Sequence, residues 1–362
     1  MANRHNDKAR FGLNVSQASE SAARFALTDG PPLPAVNFAL LGKTAPGLPT
    51  TSPSGLPQAS AVVITWADAE WAAMQQVFCG SGAMPYSDRT RGTWSGWQKY
   101  ASNLPTGAPS SWSYWGYYRL VTLGSTPVLL FKSNTHLDYP GASYLETLIQ
   151  LLVDQVKPKV LMSIGTAGGA LPADHIGTVR AVSAATLYES GQPPTSWPVF
   201  ANGWSGSNAI LDNAQFKQLL FAVPTRSSDL ENFRQEFNQL YKTSYSLAQL
   251  DPVGLNLGDA TPQIDNQTGS GASLLTTPTF VVGTTSGNYQ RYTAIEMDDA
   301  IIGKALSASK TAFAFVRNIS DPVQNAGLPA AAQGRWGSAV YDACGFYTSF
   351  NGALTAWALL AQ

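Results

Sequence analysis

Short runs of β-branched and aliphatic residues alternate along the chain with segments whose apolar positions recur at helical spacing. AVVIT at 61–65, PVLLF at 127–131, KVLMSI at 159–164, TFVVG at 279–283, YTAI at 292–295 and AFAFV at 312–316 each read as a buried strand. Trp71, Met74, Val77 and Phe78 share one face of a helix over 66–78. Leu145, Leu148, Ile149, Leu152 and Val156 do the same over 143–156, and Pro158 closes that helix. Further helices are predicted over 229–241, 297–308 and 337–361. Strands alternating with helices predict an α/β fold, a mixed twisted sheet flanked by helices. No internal repeat is evident, so the reading is one domain over 61–362. A Pro/Ser/Gly-rich extension, 1–60, precedes it and either wraps the domain or stays mobile. Two insertions interrupt the domain. The stretch 91–118 is rich in Trp, Tyr, Ser and Gly and reads as a lid, an oligomer contact or a packed surface loop; 190–270 is polar and Pro/Gly-rich with one helix.

Composition narrows the class of partner. Lys and Arg number 22 against 23 Asp and Glu, a net charge of -1, which offers no global field for nucleic acid or an anionic membrane. Only 12% of residues are charged while 44% are hydrophobic, the reverse of a disordered chain. Cys79 and Cys344 cannot make a disulfide scaffold, and the three histidines are too scattered for a metal site. No apolar run reaches the ~18 residues of a membrane span, and no apolar stretch follows the charged N-terminus as in a secretory signal. A cytoplasmic protein without metal or organic cofactor is expected.

Four strands run into polar or Gly-rich residues that apolar packing does not require. AVVIT leads to Asp68 and Glu70, KVLMSI to Gly165-Thr166-Ala167-Gly168-Gly169, YTAI to Glu296-Met297-Asp298-Asp299, and AFAFV to Arg317-Asn318-Ile319-Ser320-Asp321. Ligands in α/β sheets bind beyond the carboxyl ends of strands, so these tips are where a site is expected. Singly, each has a plainer reading. An acid in the first turn of a helix answers the macrodipole, GTAGG makes a tight strand-to-helix turn without a dinucleotide or P-loop spacing, and Ser320-Asp321-Pro322 makes a turn or cap.

Their order along the chain resembles the nucleoside phosphorylase and nucleosidase superfamily. SIGTAGGALPADHIGTV, then EMDDAIIGKAL, then FVRNISD follow that family's glycine loop, E-M-E helix and R-x-I-S-D strand end. Upstream, VITWADAEW is similar to the first strand and helix of the hydrolytic methylthioadenosine/S-adenosylhomocysteine nucleosidase branch. The resemblance implies cleavage of the base–ribose bond of a purine nucleoside or nucleotide. It makes Asp321 the general acid at N7 of the base and Glu70 the activator of water. Asp298 would hold the ribose hydroxyls with Met297 beneath the sugar. Gly165, Thr166, Ala167 and Gly168 would line the ribose or nucleophile side, with Ser320 positioning Asp321. It also implies a homo-oligomer. Breaking such a bond develops an oxocarbenium-like centre and a leaving group that needs a proton, which suits a pair of carboxyls.

The sequence departs from that pattern in two places. Asp298 stands where a Glu is usual, a reach shorter by roughly 1.5 Å. The aromatic base platform is hard to place, with Tyr289 the candidate. At the first strand tip, WADAEW carries acids and neither Arg nor Gly, which favours water over phosphate as the nucleophile. A phosphate-dependent phosphorylase and a catalytically inactive nucleoside-binding protein are the alternatives. Lys132, His136 and Arg119 either bind a 5'-phosphate, as in AMP or ATP nucleosidases and the nucleotide-depleting effectors of bacterial immunity, or are ordinary surface residues.

Overall fold

β1 (Ala61–Thr65) is buried at every position, the pattern of a strand covered on both faces. In the computed structural model, which describes residues 28–49, 55–137, 139–169, 174–250, 262–277, 291–322 and 330–361, β1 lies between two parallel neighbours. These are β4 (Thr126–Ser133) and β5 (Val160–Gly169). Beyond β4 the sheet continues antiparallel through β3 (Gly116–Leu123) to β2 (Gln98–Tyr100). On its other edge β5 runs parallel to β12 (Ala312–Pro322), which carries β6 (Val179–Val182) and then β9 (Ile264–Asn266). A second arm consists of β11 (Ile295–Glu296), β10 (Leu274–Thr276), β7 (Ala184–Leu187) and β8 (Val199–Ala201). It joins β5 at a single pair, Ile295 with Gly168. The twelve described strands form one mixed sheet flanked by helices.

This topology makes a fork. The last β5 residue paired with β1 is Ser163, and the one paired with β11 is Gly168. Between them, that edge of β5 has no strand partner among the described residues. The carboxyl ends of β1, β5 and β12 converge on this gap.

Seven helices are described: α1 (Asp68–Cys79), α2 (Ala142–Val156), α3 (Ala214–Leu219), α4 (Ser227–Tyr241), α5 (Leu247–Leu250), α6 (Asp299–Leu306) and α7 (Ala330–Leu360). α7 has 31 residues and packs against α1 and β12. Its residues Cys344, Phe346, Tyr347, Phe350, Leu354 and Trp357 are buried on all sides, as expected of a helix inside the molecule. Part of the N-terminal extension wraps the domain: Leu33 exchanges backbone hydrogen bonds with Met84, Phe38 packs on Trp357 and Gly47 bridges Thr122. No helix among the described residues is long and apolar enough to cross a membrane.

Three expectations change. GTAGG is not a turn: residues 165–169 complete β5, because β12 pairs with it as far as Pro322. The stretch 190–270 holds β8, α3, α4, α5 and β9 rather than one helix, and two of its strands extend the sheet. Of the strand expected over 292–295 only Ile295 is in one, β11. The tryptophans of 91–118 pack inward, as in the packed-loop reading: Trp112 and Trp115 are buried in a T-shaped pair, and Trp97 meets Trp71 edge-on. Their indole N–H groups are met by Asn134 O, Ser102 O and Gln75 Oε1, which is what lets them go inside. The expected strand over 279–283 and Tyr289 lie outside the described residues.

Candidate active site

Glu70 is the third residue of α1 and is 1% exposed. Its Oε2 accepts from Thr65 Oγ1 (3.1 Å), Trp66 N (3.0 Å) and Ala67 N (2.8 Å). The last is half of a capping box, so the plain helix-start reading of this acid holds. Its Oε1 does something that reading does not require. It accepts from Thr166 N (2.8 Å) and Thr166 Oγ1 (2.7 Å), across the fork on β5. Five donors on one carboxylate hold it in a single position as an acceptor.

Gly165 makes that approach possible. A Cβ there would lie 2.5 Å from Arg317 Nη1, 3.1 Å from Trp66 Cδ1 and 3.2 Å from Glu70 Oε1. The first glycine of GTAGG thus allows close packing against three side chains.

Behind the gap sits a charge cluster that the sequence reading left without a role. Arg317 on β12 is 1% exposed and engages Asp299 through both Nε (2.7 Å) and Nη2. Its Nη2 also reaches Glu296 Oε2 (3.0 Å) and Ser163 Oγ (3.0 Å), and its Nη1 reaches Thr166 O (3.3 Å). Glu296 accepts in addition from Asp298 N (2.6 Å), Asp299 N and the Thr276 hydroxyl. Burial, reinforced by the neighbouring Asp299, pushes the Glu296 carboxyl up to about 8, with Arg317 opposing. Burial raises Asp299 as well. Burial works against the charge of Arg317, yet Asp299 and Glu296 outweigh it and hold the guanidinium above its usual range. Removing one member of such a buried set costs far more than the set contributes.

In front of the cluster opens a small cleft of about 40 Å³. Its walls are Thr166, Ala167 and Gly168 of β5, Ile295 and Glu296 of β11, Met297 and Asp298 just before α6, Arg317 and Asp321 of β12, and Tyr341 of α7. A β-bulge between Ile319 and Asp321 departs from the regular alternation of β12 and re-aims the side chains at its end. Ser320 donates to Asp321 Oδ1 (2.6 Å), and Asp321 is 5% exposed. Asp298 is 4% exposed and accepts from Leu137 N (2.9 Å).

Of the residues singled out from sequence, Thr166, Ala167, Gly168, Met297, Asp298 and Asp321 line this one cleft. Ser320 touches Asp321, while Glu70 and Gly165 lie immediately behind Thr166. His136 meets Asp298 (Nδ1 to Oδ2, 3.3 Å). Lys132 is buried against Ser133 O and lies 3.9 Å from Asp68. Arg119 is elsewhere, donating to Ser95 O and Gln75 Oε1 beside α1. Sequence reasoning missed Tyr341, whose helix brings it to the site from far along the chain with no local motif. It also gave no part to Arg317, Glu296 and Asp299, although all three stand inside the motifs it quoted. Burial pushes the thiols of Cys79 and Cys344 up to about 12, which leaves neither as a nucleophile.

No protein-family model matches the chain, and no curated protein matches it. Solved structures are similar to it. One is futalosine hydrolase of Helicobacter pylori, 9% identical over 83% of this chain and 97% of that one, with a TM-score of 0.45. A 5'-methylthioadenosine/S-adenosylhomocysteine nucleosidase of the same organism is 8% identical over 84% and 98%, with a TM-score of 0.43. The nucleosidase of Colwellia psychrerythraea in complex with adenine is 14% identical over 83% and 98%, with a TM-score of 0.39.

Proposed function

We propose that the protein is an N-glycoside hydrolase of the nucleoside phosphorylase and nucleosidase superfamily, releasing the base from purine nucleosides or nucleotides. One observation carries the reading: Asp321 and the Thr166 hydroxyl bound to Glu70 face a single cleft with Met297 and Asp298 on its wall. That is the pair of carboxyl functions the reaction needs, one for the leaving base and one for the attacking water.

Asp321 gives its proton to the departing base. Ser320 fixes Oδ1, so the carboxyl presents one orientation. Water on the other side of the sugar meets Thr166. The Thr166 hydroxyl donates to Glu70 Oε1, which makes it the link between that water and the carboxylate. Glu70 then acts as the base through the hydroxyl. Met297, partly exposed on the cleft wall, supplies an apolar, polarisable surface under the sugar.

Water is favoured over phosphate by charge. Arg317 is the cation of the described cleft wall, and Asp299 and Glu296 already engage it. A phosphate dianion entering beside Asp298 and Glu70 would meet carboxylates in a poorly solvated site.

Two substitutions test the assignment. Asp321→Asn keeps the shape and removes the acid, and base release falls by about 10²–10⁴-fold with the melting temperature little changed. Thr166→Val loses turnover, whereas Thr166→Ser retains it. Undiminished release by Asp321→Asn would remove that residue from the chemistry.

A further inference from the structure

The outermost strand on the β12 side of the sheet is β9, and one of its edges is unpaired among the described residues. Its register with β6 sets Val179 against Ile264 and Ala181 against Asn266. Val179 N donates to Gln263 O (2.7 Å), and Gln267 N donates to Ala181 O (2.8 Å). In a parallel ladder every second residue turns its backbone groups to a given neighbour, so 263, 265 and 267 face β6. Ile264 and Asn266 turn theirs the other way. A groove of about 470 Å³ lies against these same two residues, a size within the roughly 300–1,000 Å³ of ligand sites. Leu211, Asp212, Lys217 and Leu220, from α3 and its flanks, line it with them.

What fits there follows from hydrogen bonding and charge. The N–H and C=O of Ile264 are a donor and an acceptor spaced to pair with an extended backbone, and a free sheet edge is where such pairing occurs. The Asn266 end is closed, because its side-chain amide donates to Gly206 O (3.0 Å) and Asn208 Oδ1 (2.6 Å). That closure limits how far a paired strand can run and selects a short partner. Leu211, Leu220 and Pro262 offer apolar surface for a side chain. Asp212 and Lys217 are exposed and have no ion-pair partner among the described residues. A nucleotide would suit the lysine and be repelled by the aspartate. A free peptide carries an ammonium at one end and a carboxylate at the other, and answers both.

We propose that this groove binds a short free peptide in extended conformation. Its backbone pairs with Ile264, an apolar side chain rests on Leu211, Leu220 and Pro262, and its charged ends meet Asp212 and Lys217. The groove is separate from the cleft. Ile264, Val179, Asn318 and Thr166 stand in register on β9, β6, β12 and β5, so three strand spacings, roughly 14 Å, lie between them. Peptide binding here is therefore independent of the nucleosidase reading.

Calorimetric titration of the full chain with the tripeptides Ala-Leu-Ala and Ala-Phe-Ala is the test. N-acetylated, C-amidated and doubly N-methylated forms of each are titrated alongside. At least one free tripeptide is expected to bind saturably. Each end-blocked form binds about tenfold more weakly, having lost one charged contact. The N-methylated form, which has no backbone N–H left to donate to the edge strand, is weakened too. Asp212→Asn weakens the free peptide and leaves the acetylated one unchanged; Lys217→Met does the same for the amidated one. Both residues are exposed, so unchanged melting temperatures should accompany these losses. Absence of saturable binding by either tripeptide overturns the proposal. So does binding indifferent to the end groups or to both substitutions, and so does displacement of the peptide by AMP, which would mark the groove as an anion site.

Discussion

At Glu70 a carboxylate that begins a helix also accepts two bonds from Thr166 on the far side of the fork. The helix-start role and the contact with Thr166 coexist in that acid, and the sequence had no means of seeing the contact. Arg317 is the opposite case. The sequence reading quoted it within a motif and gave it no task, yet it is the cation that Asp299 and Glu296, both buried, share. Replacing it with Met leaves two acids facing each other without their cation. Arg317→Met is expected to lose about 3–5 kcal/mol of stability in urea unfolding at pH 7. Part of that loss returns as pH falls, because the stranded carboxyls then take up protons. A loss below about 1 kcal/mol would mean that water or another group carries their charge.

Among the elements, β5 shows most clearly what pattern reasoning reaches. KVLMSI was legible as a strand from its apolar run, and its continuation through GTAGG was not. Glycines signal a turn locally, and here they are required by the approach of β12, Trp66 and Glu70 from elsewhere in the chain. Gly165→Ala places a methyl group 2.5 Å from Arg317 Nη1 and is expected to cost about 1–3 kcal/mol. Gly82→Ala, where nothing lies within 4 Å, stays within about 0.5 kcal/mol. Thermal unfolding of the two side by side checks the difference, and equal melting temperatures would refute the packing role. The runs that fill β1, β4 and β12 and the periodic faces of α1 and α2 were readable because their apolar signal is local. β6, β7 and β10 have three or four residues each and exist through partners far away in sequence, and the strand read at YTAI is in place only at Ile295, where β11 pairs with β5 and β10. Tyr341 escaped for the same reason: only the course of α7 brings it to the cleft.

For the whole molecule, the fork in the sheet places the cleft where three strand ends meet, and the charge cluster behind it links site chemistry to global stability. Glu296, with an ordinary carboxyl value of 4.5 in the unfolded chain and about 8 when folded, binds its proton more tightly in the native state. Its stabilising contribution is complete below about 4.5 and is lost as pH rises through about 8. Unfolding free energy should therefore fall between pH 5 and pH 8, and Glu296→Gln should flatten that slope; parallel pH profiles for the two proteins would exclude Glu296 as its source. The central claim is that this cleft splits a nucleoside with water. Its most direct test is chromatography of free base after incubation with adenosine, inosine, methylthioadenosine, AMP and ATP, with and without phosphate. The account predicts base release from a nucleoside in the absence of phosphate, with free sugar as the other product. Release that requires phosphate and yields a sugar 1-phosphate would contradict it.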